Sequence, residues 1–276
     1  MDPLDLVDLE RFPLREPNSA RWLQVVAQAR LDITAIGAAE ISDFLTPDGV
    51  AAMVADAEAL APRGHRSGGR GGVYLEQPGA QWPEGHPRLH RMDYGVSAVG
   101  YDVIPSASPL RALYESEELT RFIEAIIDRG PLYHYADPCG ALNLAVMTEG
   151  DELQWHFDQT DFVVSLAIQS AERGGDFEVV PRIRSRADES YDAVSRVLRG
   201  EHQDVVTLAM TPGTLLIFEG RNSLHRVSPI RGVRRRHVGL LAYDTTATTV
   251  SSEELRRTRY GRSEAFATPP VSWPVS

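Results

Sequence analysis

From Leu132 onward the chain breaks into short apolar or alternating runs separated by Gly and Pro turns. They fall at 132–136, 141–148, 153–157, 162–169, 175–180, 205–209, 214–219, 223–228 and 236–243. Eight or nine strands crowded into about 110 residues predict a double-sheet jelly roll. One stretch interrupts the pattern: residues 188–199, closed by Gly200, read as a capped helix or ordered loop near the barrel mouth. No repeat of fixed period is present, which excludes solenoids and propellers.

The first 130 residues follow a different rule. Residues 1–16 are acidic and Pro-interrupted and form an arm on the body. Ser19 caps a helix to about Arg30, and Thr46-Pro47-Asp48 opens an Ala-rich helix ending near Ala61-Pro62, with a short apolar link between the two. Ser108-Pro109 and Ser116-Glu117-Glu118 start two more helices, the second reaching Asp128. Between these pairs, Gly64 to Gly72 holds five glycines in nine residues, a composition that predicts a mobile loop able to close over a site. The expected fold is therefore α+β, a double-stranded β-helix (jelly roll) core with N-terminal flanking helices. Its regions are a mainly helical 1–130, a jelly-roll catalytic core at 131–245 and a C-terminal tail at 246–276, all in one domain.

Within the strand-rich half, Gln154-Trp155-His156-Phe157-Asp158 places an imidazole and a carboxylate two residues apart. Alternation along a strand sends both side chains to one face and Phe157 to the other. The plain reading is a half-buried His bonded to its neighbour; the sharper one is a metal site. His225, in Leu224-His225-Arg226-Val227-Ser228-Pro229, is the best third ligand, and His237 is a weaker rival among its arginine neighbours. Two His and one carboxylate form the facial triad that leaves positions open on non-haem Fe(II).

Composition narrows the chemistry. The net charge of −11 argues against non-specific nucleic-acid binding. All 28 basic residues are Arg, so Schiff-base and Lys-base chemistry are excluded. The single Cys139 permits no internal disulfide and no Cys-rich zinc site, and Asp137-Pro138-Cys139-Gly140 reads as a turn rather than a nucleophile. No signal-peptide pattern opens the chain and no apolar run is long enough to span a bilayer, so a cytoplasmic protein with no membrane partner is expected.

The order of His-x-Asp, Gly174-Gly175-Asp176-Phe177, Pro212-Gly213-Thr214-Leu215-Leu216-Ile217-Phe218, His225-Arg226-Val227-Ser228-Pro229 and a following Arg resembles the Fe(II)/2-oxoglutarate-dependent dioxygenases over roughly residues 130–245. Gly140-Ala141-Leu142-Asn143, Trp155-His156-Phe157-Asp158, Thr160-Asp161-Phe162-Val163 and Leu240-Leu241-Ala242-Tyr243-Asp244 look like the ArpA-like and HalD-type group, which includes hydroxylases and halogenases of small molecules, free amino acids among them. The resemblance implies that His156, Asp158 and His225 hold Fe(II), with 2-oxoglutarate as cosubstrate and molecular oxygen as oxidant.

It also implies a basic residue about ten positions after the last His to take the distal carboxylate of 2-oxoglutarate. Alternation puts Arg234 and Arg236 on one face and Arg235 on the other. The resemblance favours Arg236, with Arg234 second, and it puts Asn143 near the cosubstrate and Trp155 near the metal. In the related halogenases a small residue stands where Asp158 is, which opens a place for halide, so hydroxylation is expected here.

For the substrate, Arg88 or Arg91 is a candidate clamp for a carboxylate and Asp161 for an ammonium group. The plainer alternatives are solvated arginines and an acid capping a turn. The expectation is a hydroxylase of an unactivated C–H in a small polar molecule, an amino acid or derivative foremost. A desaturase or cyclase on the same iron, a cupin-type metalloenzyme and a jelly-roll binding module are the alternatives. Oligomeric state is left open.

Overall fold

The computed structural model describes residues 2–75, 79 and 81–267. The last nine residues of the expected C-terminal tail lie outside them.

The N-terminal arm lies on the body, burying Leu4, Leu6, Val7, Phe12 and Leu14, with a bridge from Val7 to Leu45. Helix α1 (Ala20–Ile36) starts where the Ser19 hydroxyl accepts from the Trp22 N–H at 3.2 Å, and it runs past Arg30 to a left-handed Gly37. Strand β1 (Ala38–Ile41) follows, where only an apolar link was expected. Helix α2 (Pro47–Leu60) is capped by Thr46, whose hydroxyl accepts from the Gly49 N–H at 3.0 Å.

The glycine-rich stretch is not a loop. It is strand β2 (His65–Gly72), paired residue for residue with β3 (Arg91–Gly100). A composition with few side chains packs no core, but the ladder is made of backbone groups, and every residue brings those.

Helices α3 (Pro109–Tyr114) and α4 (Glu117–Ile127) begin at Ser108 and Ser116 as expected. The jelly-roll strands are β4 (Tyr133–His134), β5 (Leu142–Met147), β6 (Leu153–His156), β7 (Val163–Gln169) and β8 (Phe177–Val180). After α5 (Tyr191–Leu198) come β9 (Val206–Leu208), β10 (Leu215–Phe218), β11 (Leu224–Val227), β12 (Arg236–Leu241) and β13 (Tyr243–Asp244), then α6 (Glu253–Tyr260).

Eleven strands form one antiparallel sheet in the order β1-β10-β7-β12-β5-β3-β6-β11-β8-β9, with β2 on β3; β4 and β13 pair separately. Strand β3 spans the two halves of the barrel. Its Ser97–Gly100 end pairs with β5 and its Tyr94 with Leu153 of β6. The first 130 residues thus supply sheet strands as well as flanking helices.

Two apolar clusters separate the faces. Leu144, Val146, Leu166, Ile168, Leu215 and Ile217 pack outward with Phe44, Met53 and Phe122 of the helical half. Ala145, Met147, Ala167, Phe177, Val179, Leu216, Phe218 and Val227 pack inward. This period-two alternation over most strands gives the barrel an apolar lining and a helix-covered back. Helix α5 packs Val194 and Val197 over Trp155, Val180 and Leu224, on the outer side of β6, β8 and β11. No helix among the described residues is long and apolar enough to cross a membrane.

Candidate active site

Strands β6 and β11 face each other with His156 across from His225 and Leu153 across from Val227. One strand spends three steps where the other spends two, a β-bulge. The bulge lets Leu153 and His156 both turn inward while Trp155 turns out. Strand β6 ends at His156, so Asp158 lies beyond it, its N–H donating to the Gly220 carbonyl at 3.1 Å. His156 and Asp158 therefore share a side because of a bulge and a turn, not by the simple alternation expected from the sequence.

One ligand atom from each of His156, Asp158 and His225 falls within 4.8 Å of the others. The Asp158 carboxylate lies 3.2 Å from Nε2 of His225 and 4.0 Å from Nε2 of His156, and the two imidazole centroids are 4.3 Å apart. Each ring is oriented from behind. Nδ1–H of His156 donates to the Gln154 carbonyl at 2.6 Å and Nδ1–H of His225 to the Ser223 carbonyl at 2.9 Å. A carbonyl only accepts, so each Nδ1 carries a proton and each Nε2 is turned toward the carboxylate; in the metal-free chain the His225 Nε2–H donates to Asp158 at 3.2 Å.

Burial drives His156 down to about 4, and the neighbouring His225 pushes the same way. Burial opposes charge on Asp158 too, but the imidazoles outweigh it and hold the carboxyl at about 2. For His225 burial again works against protonation, and the Asp158 carboxylate overrides it and raises the pKa. The raised His225 pKa means that the metal-free pair holds a proton between Asp158 and His225, and a divalent cation taking up the set displaces that proton. Phe177 and Phe218 pack on the His225 ring and keep that side dry.

Gly220 makes room for Asp158. A Cβ there would lie 2.3 Å from Oδ2, so no other residue fits without moving the carboxylate.

The three consecutive arginines part company. Arg234 donates to the carbonyls of Ser170 and Ala171 at 2.9 and 3.1 Å, and Arg235 pairs with Glu58 at 2.7 Å. Arg236 opens β12 pointing inward. It is 7% exposed, and its hydrogen-bond partner is the Met147 thioether at 3.9 Å. Burial brings its pKa down to about 10, with Asp176 opposing the shift. A guanidinium inside a barrel with a sulfur for company is short of a carboxylate. Gly175, at φ +73°, lets it lie there, since a Cβ would come within 2.9 Å of the Arg236 Cδ. Asn143 lies across from Leu240 toward the other end of β12, buried, with its Oδ1 lacking a partner. Donors of this kind fit Fe(II), and the lone cation fits a dicarboxylate cosubstrate.

Other expected residues are elsewhere. Trp155 lies on the outer face under the Arg226 guanidinium, 4.8 Å from the ring, and so does not line the metal chamber. Asp161 accepts from Arg221 at 2.5 Å, Arg129 at 3.2 Å and Arg186 at 3.3 Å, so its charge is already met three times over. Arg88 stacks on Tyr74, Trp82 and Tyr191 and pairs with Glu189 at 3.4 Å, so it already holds a carboxylate of its own. Arg91 begins β3, with its carbonyl accepting from Arg70 at 2.9 Å. His237 points out of the barrel to Glu58 at 2.9 Å, and His134 is held by the Tyr114 carbonyl at 2.9 Å. Neither is near the triad.

A double-stranded β-helix carrying two His and one carboxylate is the architecture of the Fe(II)/2-oxoglutarate-dependent oxygenases. The sequence model of the family described as Halogenase D matches residues 89–260, more than half of the chain, and the chain belongs to that family. No curated protein matches the sequence. Among solved structures, AviO1 from Streptomyces viridochromogenes Tue57 is similar at TM-score 0.55 and 21% identity, over 81% of this chain and 96% of that one. The non-heme alpha ketoglutarate dependent carbocyclase SnoK from nogalamycin biosynthesis is similar at TM-score 0.55 and 16% identity, over 90% and 94%. The epimerase SnoN from the same biosynthesis reaches TM-score 0.53 at 13% identity, over 80% and 83%. At these identities the likeness speaks to the fold. The protein is a dioxygenase that uses Fe(II), 2-oxoglutarate and molecular oxygen, which sets aside the cupin and binding-module readings.

Proposed function

We propose that the protein hydroxylates an unactivated C–H bond of a small polar substrate, an amino acid or amino-acid derivative foremost, with His156, Asp158 and His225 as the iron ligands and Arg236 holding the distal carboxylate of 2-oxoglutarate. The reading is carried by one observation: among the described residues the inward Arg236 has no carboxylate partner, in a barrel that also presents two backed imidazoles and an ionised Asp158. When bound, Fe(II) with 2-oxoglutarate and oxygen supplies the oxidant, and the cosubstrate leaves as succinate and carbon dioxide. The chain's own residues bind, orient and exclude water. Gln154 and Ser223 fix the imidazole rings, Phe177 and Phe218 keep water from His225, and the Asn143 amide offers N–H donors to the cosubstrate and a buried oxygen to a donor of the substrate.

Asp158 favours hydroxylation over halogenation, because its carboxylate fills the space beside Gly220 and His225. The deciding experiment is anaerobic titration of the apoprotein with Fe(II) and 2-oxoglutarate, followed by visible spectroscopy and then by oxygen with a pool of amino acids. A charge-transfer band and substrate-dependent succinate are expected. Folded, iron-loaded protein without a band would remove this assignment of ligands and cosubstrate arginine.

A further inference from the structure

The two histidines of the triad stand on paired strands, and each ring is backed by a carbonyl. Asp158 lies past the end of β6 and has no such ladder beneath it. What holds it is the segment between β10 and β11. The Gly220 carbonyl accepts the Asp158 N–H at 3.1 Å, and the missing side chain of Gly220 leaves the space that the carboxylate fills. Arg221 then reaches back over the same turn. Its Nε donates to Oδ1 of Asp161 at 2.5 Å and a terminal nitrogen donates to the Gln159 carbonyl. One rigid guanidinium thus spans residues 159 and 161, a double contact for which its planar fork is suited.

The strap is itself fastened. Arg184, between β8 and α5, donates through Nε to the Arg221 carbonyl at 2.7 Å and through a terminal nitrogen to Glu189 at 2.9 Å. Its guanidinium carbon lies 3.9 Å from the ring centroid of Phe157, the residue between the two ligands His156 and Asp158. Arg129 and Arg186 are different. Each reaches Oδ2 of Asp161, at 3.2 and 3.3 Å, and bonds to no other residue of the turn among the described residues. The Arg221 and Asp161 side chains are 41% and 33% exposed, so water screens their attraction and the pair adds little to stability. Its consequence is placement, because the turn it closes carries a ligand that no strand fixes.

We propose that Arg221 is the positioning residue of the Asp158 carboxylate: by strapping Gln159 and Asp161 to the segment that begins at Gly220, it sets where the metal-binding oxygen lies beside Nε2 of His225. This rests on the proposed assignment of Asp158 as an iron ligand. Partners that orient a ligand from behind govern metal affinity without touching the metal.

The test uses the full chain, first without metal and then with Fe(II). Arg221→Ala should weaken Fe(II) binding about 10-fold or more in competition with a chelator, the range for losing a partner behind a ligand. Arg221→Lys, which keeps a cation but not the fork, should fall between the two. In the apoprotein, Arg221→Ala should speed hydrogen exchange in a peptide covering residues 157–161 and leave a peptide covering β11 unchanged. Its melting temperature should move little, as for a screened ion pair. Arg129→Ala and Arg186→Ala, which loosen Asp161 without freeing Gln159, should leave Fe(II) affinity as it was. The proposal is overturned if Arg221→Ala binds Fe(II) as tightly as the unaltered protein, if exchange over 157–161 does not change, or if Arg129→Ala weakens Fe(II) binding equally. Should Asp158→Ala retain Fe(II) at full affinity, the ligand assignment beneath the proposal falls instead.

Discussion

Arg236 and Arg88 are both arginines largely withdrawn from water, and their surroundings are opposite. Arg88 lies against three aromatic rings, donates to the Tyr191 hydroxyl at 2.9 Å and shares Glu189 with Arg184. Arg236 is more deeply buried and has a thioether. A cation with every need met inside the protein stabilises the protein; a buried cation left short is costly unless a ligand completes it. The same contrast separates Asp161, ringed by three arginines, from Asp158, which faces the Nε2 atoms of two imidazoles.

The widest separation between the two kinds of residue is expected from His225→Ala. Removing one of three ligands should abolish iron retention and lower turnover by more than about 100-fold, beyond the effect of losing an outer-shell partner. Far-ultraviolet circular dichroism should be unchanged, because β11 keeps its pairing to β6 and β8 through backbone bonds. Iron stoichiometry after gel filtration reads the result, and normal iron content would take His225 out of the set.

The arginine pair itself comes next. Arg236→Gln should raise the half-saturating 2-oxoglutarate by about 10- to 100-fold, the range for losing a hydrogen bond to a charged partner. Stability should hold or rise, since a buried unpaired charge disappears. Arg88→Gln should do the reverse, costing about 1 kcal/mol of stability through lost stacking while the 2-oxoglutarate requirement stays put. Two denaturation curves and two titrations decide it. If Arg88→Gln moved the cosubstrate requirement, the contrast between satisfied and unsatisfied arginines would fail as a guide to this site.

Gly220→Ala tests the carboxylate in the same spirit. The added methyl meets Oδ2 of Asp158, so the carboxylate must swing away. Turnover should fall about 10-fold or more for a ligand displaced by an ångström or so, with a smaller loss of stability than a core cavity causes. Iron affinity measured by competition with a chelator should fall alongside.

These contrasts also mark what the sequence could disclose. Short alternating runs are a property of each strand, so the jelly roll was legible from Leu132 on, as were the caps at Ser19, Thr46, Ser108 and Ser116. Strand β2 was not, because its contribution is backbone alone and its composition imitates a linker. The triad was legible as residue types in order, but the bulge that turns both Leu153 and His156 inward has no local signal. Whether an arginine is satisfied is a long-range fact. Arg88 meets Glu189 about a hundred positions away, and Arg262 meets Asp102 across 160. Gly220 carried a faint signal as a glycine just past an apolar strand, with nothing to say that Asp158 needed the space.

The smallest effect concerns the residues beside Arg236. Glu58 of α2 accepts from His237 Nε2 at 2.9 Å, Gln169 at 2.8 Å and Arg235 at 2.7 Å, so one carboxylate holds both outward neighbours of the inward arginine at a bulge between β12 and β7. Burial alone would raise its pKa; His237, Gln169 and Arg235 outweigh that and bring it to about 2. A carboxyl whose pKa is lower folded than unfolded adds stability that is complete above the ordinary value near 4.5 and is lost as pH falls toward 2. Burial lowers the His237 pKa against the pull of Glu58, so protonating that ring is also less favourable in the folded protein, and acid weakens the region twice. Glu58→Gln should therefore be less stable than the unaltered protein at pH 6, and the gap in melting temperature should narrow steadily as pH falls from 4.5 toward 2. A gap independent of pH would mean that Glu58 supports the strand by shape alone, with its charge contributing nothing to the seat of Arg236.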